Sequence, residues 1–403
     1  MNIVLISKEC PPSPRSSGIG TYVWETGRSL AHLGNNVTII AAADDGLLTS
    51  STPSPRLTVV RLPDDEIDVA NRNIVARGLR APRKQGEAYR RRIAEYVETL
   101  TNERRPDVIE FPGFRGESVA WLERQRPFPM VVRMHGFTAG INRVWKDHLS
   151  ATKRLQVKWE SQEFRAADVI TAVSEQQGSL VRERFRDNRI EVVHNSIDTE
   201  LWRNLSASAS EGLNHDDILF VGSLEKRKGI FTLLKAANLL RQNGWRGRLV
   251  LAGRTTSQFE RFTRIQAALG RRRPDWFVPL GVCKRERLAG FYRDAGVCCF
   301  PSLFEPFGYT ALEAMACGGL VVGSQRTGMA EILNDTCGLL TPPGDVASLV
   351  TTLRLALSMN IEERTRMKHA AQERVRDAFD HSVIVPKLLG VYRKTIDSYR
   401  NRH

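Results

Sequence analysis

Along the chain, short apolar runs alternate with longer stretches in which apolar residues recur every three or four positions. The runs Ile3–Ile6, Val37–Ala42, Leu57–Arg61, Val108–Phe111, Met130–Met134, Val169–Ala172 and Ile190–His194 predict strands buried on both faces. Between them, segments such as Gly20–Leu33 and Glu87–Asn102 carry a helical period. The alternation restarts with Ile218–Val221, Leu249–Ala252, Trp276–Leu280, Val297–Phe300, Leu320–Val322 and Leu339–Leu340. Strands alternating with helices in this way predict βαβ units and parallel sheets. Asn204–Asp217, rich in Ser, Ala, Asn and Asp, has neither period and is expected to be a linker. The fold class is therefore α/β: two doubly wound, Rossmann-like parallel-sheet domains, 1–203 and 204–380, facing each other across a cleft. The charged helical tail 381–403 is expected to pack back on the first domain.

Composition narrows the class without changing it. At 403 residues, with 41% hydrophobic and 26% charged positions, the chain is ordinary globular protein with room for two cores. No stretch approaches the ~18 uninterrupted apolar residues of a membrane span. Met1–Ser7 lacks the basic flank and cleavage site of a secretory signal and instead looks like a first strand. The six cysteines form no CxxC pair, which excludes the common zinc spacings and fits a reducing cytoplasm. Asp44-Asp45 and Asp64-Asp65 read as solvated loop pairs, so no metal is expected. The net charge of +14 attracts anions or reflects a solvated basic surface. Its densest part is Ala76–Tyr96, where Arg77, Arg80, Arg83, Lys84, Arg90, Arg91 and Arg92 face only Glu87 and Glu95. That run suits an anionic or lipid-linked acceptor, an anionic membrane face, or plain solvent. Arg271–Arg273 carries the same ambiguity.

Doubly wound sheets bind ligands at the carboxyl ends of strands, near helix starts. The loop in Cys299–Gly318 is the richest such place: a strand ends near Ser302, Pro306-Phe307-Gly308 turns the chain, and a helix begins at about Gly308. Amide groups near Gly308, Tyr309 and Thr310 attract a phosphate. Glu305 and Glu313, seven residues intervening, flank that anion, where carboxylates accept hydrogen bonds from hydroxyls. A nucleotide sugar has this layout, with Glu313 on the ribose and Glu305 on the sugar. After Ile218–Val221, the sequence GSLEKRKG places Arg227 and Lys228 at another helix start, where cations are disfavoured unless an anion joins them. In the amino-terminal half, Gly18 and Gly20 in a long Pro/Ser loop permit close approach of a ligand, and Arg15 lines the loop or is solvated. A dinucleotide fingerprint is excluded there by Val23 at the third glycine position and by the length of the turn. His135 ends the strand Met130–Met134 and can hydrogen-bond a sugar hydroxyl or polarise an acceptor.

The segment Glu305–Gly318 resembles the E-x7-E signature of the retaining glycosyltransferases of family 4. Gly328-Met329-Ala330-Glu331-Ile332 is similar to the family's GGxxEI, and Gly338-Leu339-Leu340 with Pro343-Gly344-Asp345 to its GxLxxPxD. The resemblance implies the GT-B fold, retention of anomeric configuration and a donor such as a UDP-hexose or GDP-mannose. It places Lys228 on the diphosphate, with Ser223 where the family has an arginine and Arg227 as its substitute. It places the base near Val282, read by backbone groups, the Gly18 position beside the diphosphate, and His135 near the donor sugar or reacting centre. Two other activities share these features: a GT-B-type sugar-nucleotide epimerase and a silent sugar-nucleotide sensor. Retained Glu305, Glu313 and Lys228 argue against the sensor. No nucleic-acid-binding module is recognisable.

Overall fold

The computed structural model describes residues 1–13, 17–64, 86–124, 126–138, 140, 150–185, 189–208, 212–269 and 274–402. Two compact units emerge, Met1–Ser196 with His381–His403, and Ile197–Asp380. In the first, the strands are β1 (Asn2–Ile6), β2 (Asn36–Ala42), β3 (Thr49–Ser54), β4 (Leu57–Leu62), β5 (Val108–Pro112), β6 (Met130–Met134), β7 (Val169–Ala172) and β8 (Ile190–Val192). They lie in the order β3-β4-β2-β1-β5-β6-β7-β8. Every pairing is parallel except β3 with β4. Helices such as Gly18–His32, Glu87–Glu103 and Ala151–Ala166 accompany the sheet, and Ile40, Ile93, Ile109, Phe111, Met130 and Ile170 are among its core residues. β3, with the sequence TSSTPS, has no apolar alternation and is mostly exposed, so no pattern announces it. As an edge strand it tolerates Pro53, which would break a central ladder.

The helix His381–Arg400 belongs to this first unit because it completes a buried polar cluster. Glu110 on β5 accepts hydrogen bonds from Tyr22 Oη and Tyr392 Oη, both at 2.8 Å. The Arg133 guanidinium lies over the Tyr22 ring, 4.6 Å from its centroid, and donates to Asn195 Oδ1 at 3.0 Å. Burial pushes the Glu110 carboxyl up, against the pull of Arg133 and the two phenols. Arg402 adds a bond of 2.6 Å to Asp168.

In the second unit the strands are β9 (Ile218–Val221), β10 (Leu249–Ala252), β11 (Phe277–Gly281), β12 (Val297–Phe300), β13 (Val321–Ser324) and β14 (Leu339–Thr341). Their order is β11-β10-β9-β12-β13-β14, all parallel. The expected linker is corrected in part: Thr199–Ser208 is a helix, and it crosses the boundary placed between 203 and 204. Asp198 caps it by accepting from Leu201 N at 2.8 Å, and Trp202 is buried with its ring 6.0 Å from that of Tyr292. Tertiary burial of that one indole overrides weak local propensity. Asp64 was also misread. It is buried and pairs with Lys8 at 2.9 Å.

Beyond β5, three carboxyls are packed together. Glu160 accepts from Thr138 N at 2.8 Å and from Thr138 Oγ1 at 2.7 Å, and Glu163 accepts from Ser118 N and Oγ, both at 2.8 Å. Burial pushes Glu117 and Glu160 up to about 7 and holds Glu163 well above the usual carboxylate range. These folded-state values exceed the ordinary 4.5, so their contribution to stability is full below that value and is lost as pH rises through about 7. Glu160→Gln, which cannot ionise, should therefore gain on the wild type in urea unfolding between about pH 5.5 and about pH 8.5. An unchanged difference across that window would contradict the assignment.

Candidate active site

In the second sheet the order of strands reverses between β9 and its neighbour β12. Loops leaving two such strands diverge in opposite directions and open a crevice, which is where doubly wound sheets hold ligands. The β9 loop carries Ser223 to Lys228 and the β12 loop carries Ser302 to Gly308, so the two richest sequence segments meet at this point.

The two loops are tied together. Leu303 N donates to the Arg227 carbonyl at 2.8 Å, and Arg227 Nη1 donates to the Phe304 carbonyl at 3.4 Å. Lys226–Lys228 forms a short 3-10 turn closed by Gly229 at φ 77°. A Cβ on Gly229 would stand 1.8 Å from the Pro301 carbonyl oxygen, so only glycine lets the loops approach this closely. Within that frame Lys228 Nζ donates to Glu305 Oε2 at 2.5 Å, and Ser302 Oγ donates to the same oxygen at 3.3 Å. Both members of the ion pair are largely buried. Burial alone would raise the Glu305 carboxyl, but the charges of Lys228 and Arg227 hold it below its ordinary value. Glu305 is thus a buried anion held beside a cation where the two loops meet.

The helix Tyr309–Ala316 starts immediately after this pair. Its cap Gly308, at φ 123°, accepts from Ala311 N at 3.0 Å, and a Cβ there would stand 2.9 Å from Met329 Cγ. The first turn of an α-helix has no intrahelical acceptors for its amides and carries partial positive charge. The Glu305 carbonyl accepts from Gly328 N at 2.8 Å, which fixes the Pro306-Phe307 turn against the next loop. Phe307 is buried, its ring 6.0 Å from that of Phe379. Glu313 lies one turn further on. Glu313 Oε2 accepts from Tyr292 Oη at 2.8 Å.

The remaining expected residues fall as follows. Arg227 Nη2 pairs with Glu225 Oε1 at 2.7 Å, and its backbone and guanidinium contacts to residues 303 and 304 fasten the two loops together. Ser223 is half-buried in the β9 loop, and Val282, 79% exposed, follows β11. Gly18, Gly20 and His135 belong to the other unit. Gly18 is the exposed first residue of its helix and Gly20 is buried. His135 follows β6 and meets the Tyr22 ring edge-on at 4.7 Å. Burial, then the charge of Arg133, pushes its pKa well below 6.5, so the imidazole is neutral at pH 7. Its Nε2 is buried and has no hydrogen-bond partner among the described residues. The described part of the basic run, Arg90 to Arg92, lies on the helix Glu87–Glu103. Arg90 lies over the Trp159 ring at 4.1 Å, Arg91 pairs with Glu87 at 2.6 Å, and Arg92 donates to the Pro63 carbonyl at 2.9 Å. Arg15, Arg77, Arg80, Arg83, Lys84 and Arg271–Arg273 lie outside the described residues. Among the described residues no helix is long and apolar enough to cross a membrane, and no three His, Cys, Asp or Glu side chains gather as metal ligands. Sequence reasoning missed Ser302 and Tyr292, whose hydroxyls hold the two glutamates; neither stands in a pattern that marks it.

Two family models cover most of the chain: a glycosyl transferase 4-like domain over residues 17–196, and glycosyl transferases group 1 over residues 204–374. Among similar proteins, D-inositol 3-phosphate glycosyltransferase 1 of Catenulispora acidiphila is 29% identical, covering 97% of this chain and 94% of the relative. Glycogen synthase of Mycobacterium tuberculosis H37Rv is 27% identical with the same coverage. Among solved structures, sucrose-phosphate synthase from Thermosynechococcus elongatus matches with a TM-score of 0.79 at 22% identity, over 98% of this chain and 99% of that one. An alpha,alpha-trehalose-phosphate synthase (UDP-forming) from Burkholderia xenovorans matches with a TM-score of 0.75 at 15% identity, over 98% and 100%. Two parallel-sheet units, the two domain models in their order and these whole-length likenesses place the chain in the family 4-type glycosyltransferases, with the GT-B fold.

Proposed function

We propose that this glycosyltransferase moves a hexose from a nucleoside-diphosphate hexose to a hydroxyl acceptor with retention of configuration, and that the donor occupies the crevice between the β9 and β12 loops. The observation that carries the reading is the buried Lys228–Glu305 pair set against the start of the helix Tyr309–Ala316. A diphosphate entering there meets the Lys228 ammonium and the amide groups of the first helical turn. Glu313 takes the ribose hydroxyls and Glu305, kept ionised by its lysine, takes hydroxyls of the transferred sugar. These groups carry the charge of the diphosphate without a divalent metal. As the bond from the anomeric carbon to the phosphate oxygen breaks, negative charge grows on that oxygen, and Lys228 and the helix start stabilise it. The departing phosphate accepts the proton of the acceptor hydroxyl as the new glycosidic bond forms on the same face. His135, neutral, serves as a hydrogen-bonding group for a sugar hydroxyl.

The donor is a UDP-hexose or GDP-mannose in this reading. Several relatives are named for phosphorylated acceptors, and the net charge of +14 favours an anionic acceptor here as well. Arg90 and Arg92 are engaged within the chain, while Arg91 is exposed beside Glu87, so this part of the run offers one surface cation rather than a basic patch. Six free thiols, mostly buried, suit a reducing compartment, the cytoplasm.

Lys228→Ala and Glu313→Ala should each lower transfer by about 100-fold or more, the scale of removing one group that meets developing charge or anchors the donor, with far-ultraviolet circular dichroism unchanged. Near wild-type turnover in either variant contradicts the donor site. Glu305→Ala should leave calorimetric affinity for a nucleoside diphosphate within about threefold while transfer falls by at least about tenfold. Equal loss of both would move Glu305 from the sugar to the nucleotide. Retention is read from the anomeric coupling constant of the product by NMR, where inversion would contradict the mechanism.

A further inference from the structure

Tyr292 sits in the helix Arg285–Asp294, wholly buried, and its hydroxyl donates to Glu313 Oε2 at 2.8 Å. The phenol ring is held independently of that bond: it is wholly buried, with the Trp202 ring 6.0 Å away edge-on, on a helix that packs against the Glu313 helix. Its backbone carbonyl accepts from Cys298 Sγ at 3.5 Å on β12. A carboxylate on a half-buried helix position has rotamers that differ little in energy. One rigid donor on one oxygen selects among them and sets the plane in which the other oxygen is presented. We propose that Tyr292 is a positioning residue for nucleotide recognition, acting through Glu313 and never touching the donor. The inference rests on the reading that Glu313 holds the ribose.

The phenol suits this task. Burial and the neighbouring carboxylate keep it protonated far above neutral pH, so it remains a donor under every working condition. A hydrogen bond to the ionised carboxylate also favours the charged form that accepts ribose hydroxyls. Phenylalanine at the position keeps the ring, its packing on Trp202 and the backbone contact, and removes the hydroxyl alone.

The test is a double-mutant cycle on the full-length enzyme with Tyr292→Phe, Glu313→Ala and the double variant. Affinity for UDP, GDP and ADP is measured by calorimetry, using whichever the wild type binds tightest, together with donor KM and kcat. Tyr292→Phe should weaken that nucleotide by about tenfold, the scale of one hydrogen bond to a charged group, and raise donor KM similarly with kcat within about twofold. In the Glu313→Ala background the same change should have no further effect. Full nucleotide affinity in Tyr292→Phe, or equal losses in both backgrounds, would overturn the inference and leave the donor site standing. If Glu313→Ala itself binds the nucleotide as the wild type does, or none of the three nucleotides binds, the underlying reading fails and this one with it. A lowered thermal midpoint in Tyr292→Phe with unaltered affinity would assign the phenol to stability alone, against the proposal.

Discussion

A lysine and a glutamate held 2.5 Å apart in a largely buried fork are the constraint on which the second unit turns. Either charge alone in that place would be costly, because burial removes its hydration and leaves nothing in return. Together they are tolerable, provided the two loops bring them to contact distance and hold them there. Much of the local sequence serves that end: Gly229 allows the backbones to touch, Arg227 fastens one loop to the other, and Ser302 donates a second bond to the carboxylate. A buried ion pair adds little to stability compared with an apolar pair of like size. Its presence at the reversal point of a doubly wound sheet is better explained by the ligand that would join it.

The other unit shows a different electrostatic design. There, charges are buried in a closed cluster, Glu110 with Tyr22, Tyr392 and Arg133, which draws the last helix onto the sheet. Burial first keeps the His135 imidazole neutral, and the Arg133 guanidinium of this cluster adds to that effect. One network thus secures the carboxyl-terminal helix and tunes the histidine at the end of β6.

Strands were legible because parallel strands are covered on both faces and read as unbroken apolar runs; Val297–Phe300 and Met130–Met134 coincide with their predicted bounds. β3 was not, because an exposed edge strand needs no apolar face. The helix Thr199–Ser208 hid behind Ser, Asn and Ala, with its burial resting mainly on Trp202. Within the site, Glu305, Gly308, Glu313 and Lys228 stood out because charges and a glycine beside a helix start have few structural uses. Their partners were invisible. The bond between Tyr292 and Glu313 joins residues on different helices, and nothing local distinguishes a phenol that donates from one that merely packs. Asp64 and Arg90 are buried for a similarly unseen reason: whether a loop or helix charge is solvated depends on distant residues, Lys8 for Asp64 and Trp159 for Arg90.

The central claim is that Lys228, held in place by Glu305, and the helix start beside it hold a diphosphate. A crystal structure of the enzyme with a bound nucleoside diphosphate addresses it directly. The expected electron density has the terminal phosphate within hydrogen-bonding distance of Lys228 Nζ and of amide groups at 308–310, with the ribose hydroxyls on Glu313. A phosphate bound elsewhere, with the ion pair undisturbed and Glu313 empty of ligand, would contradict it.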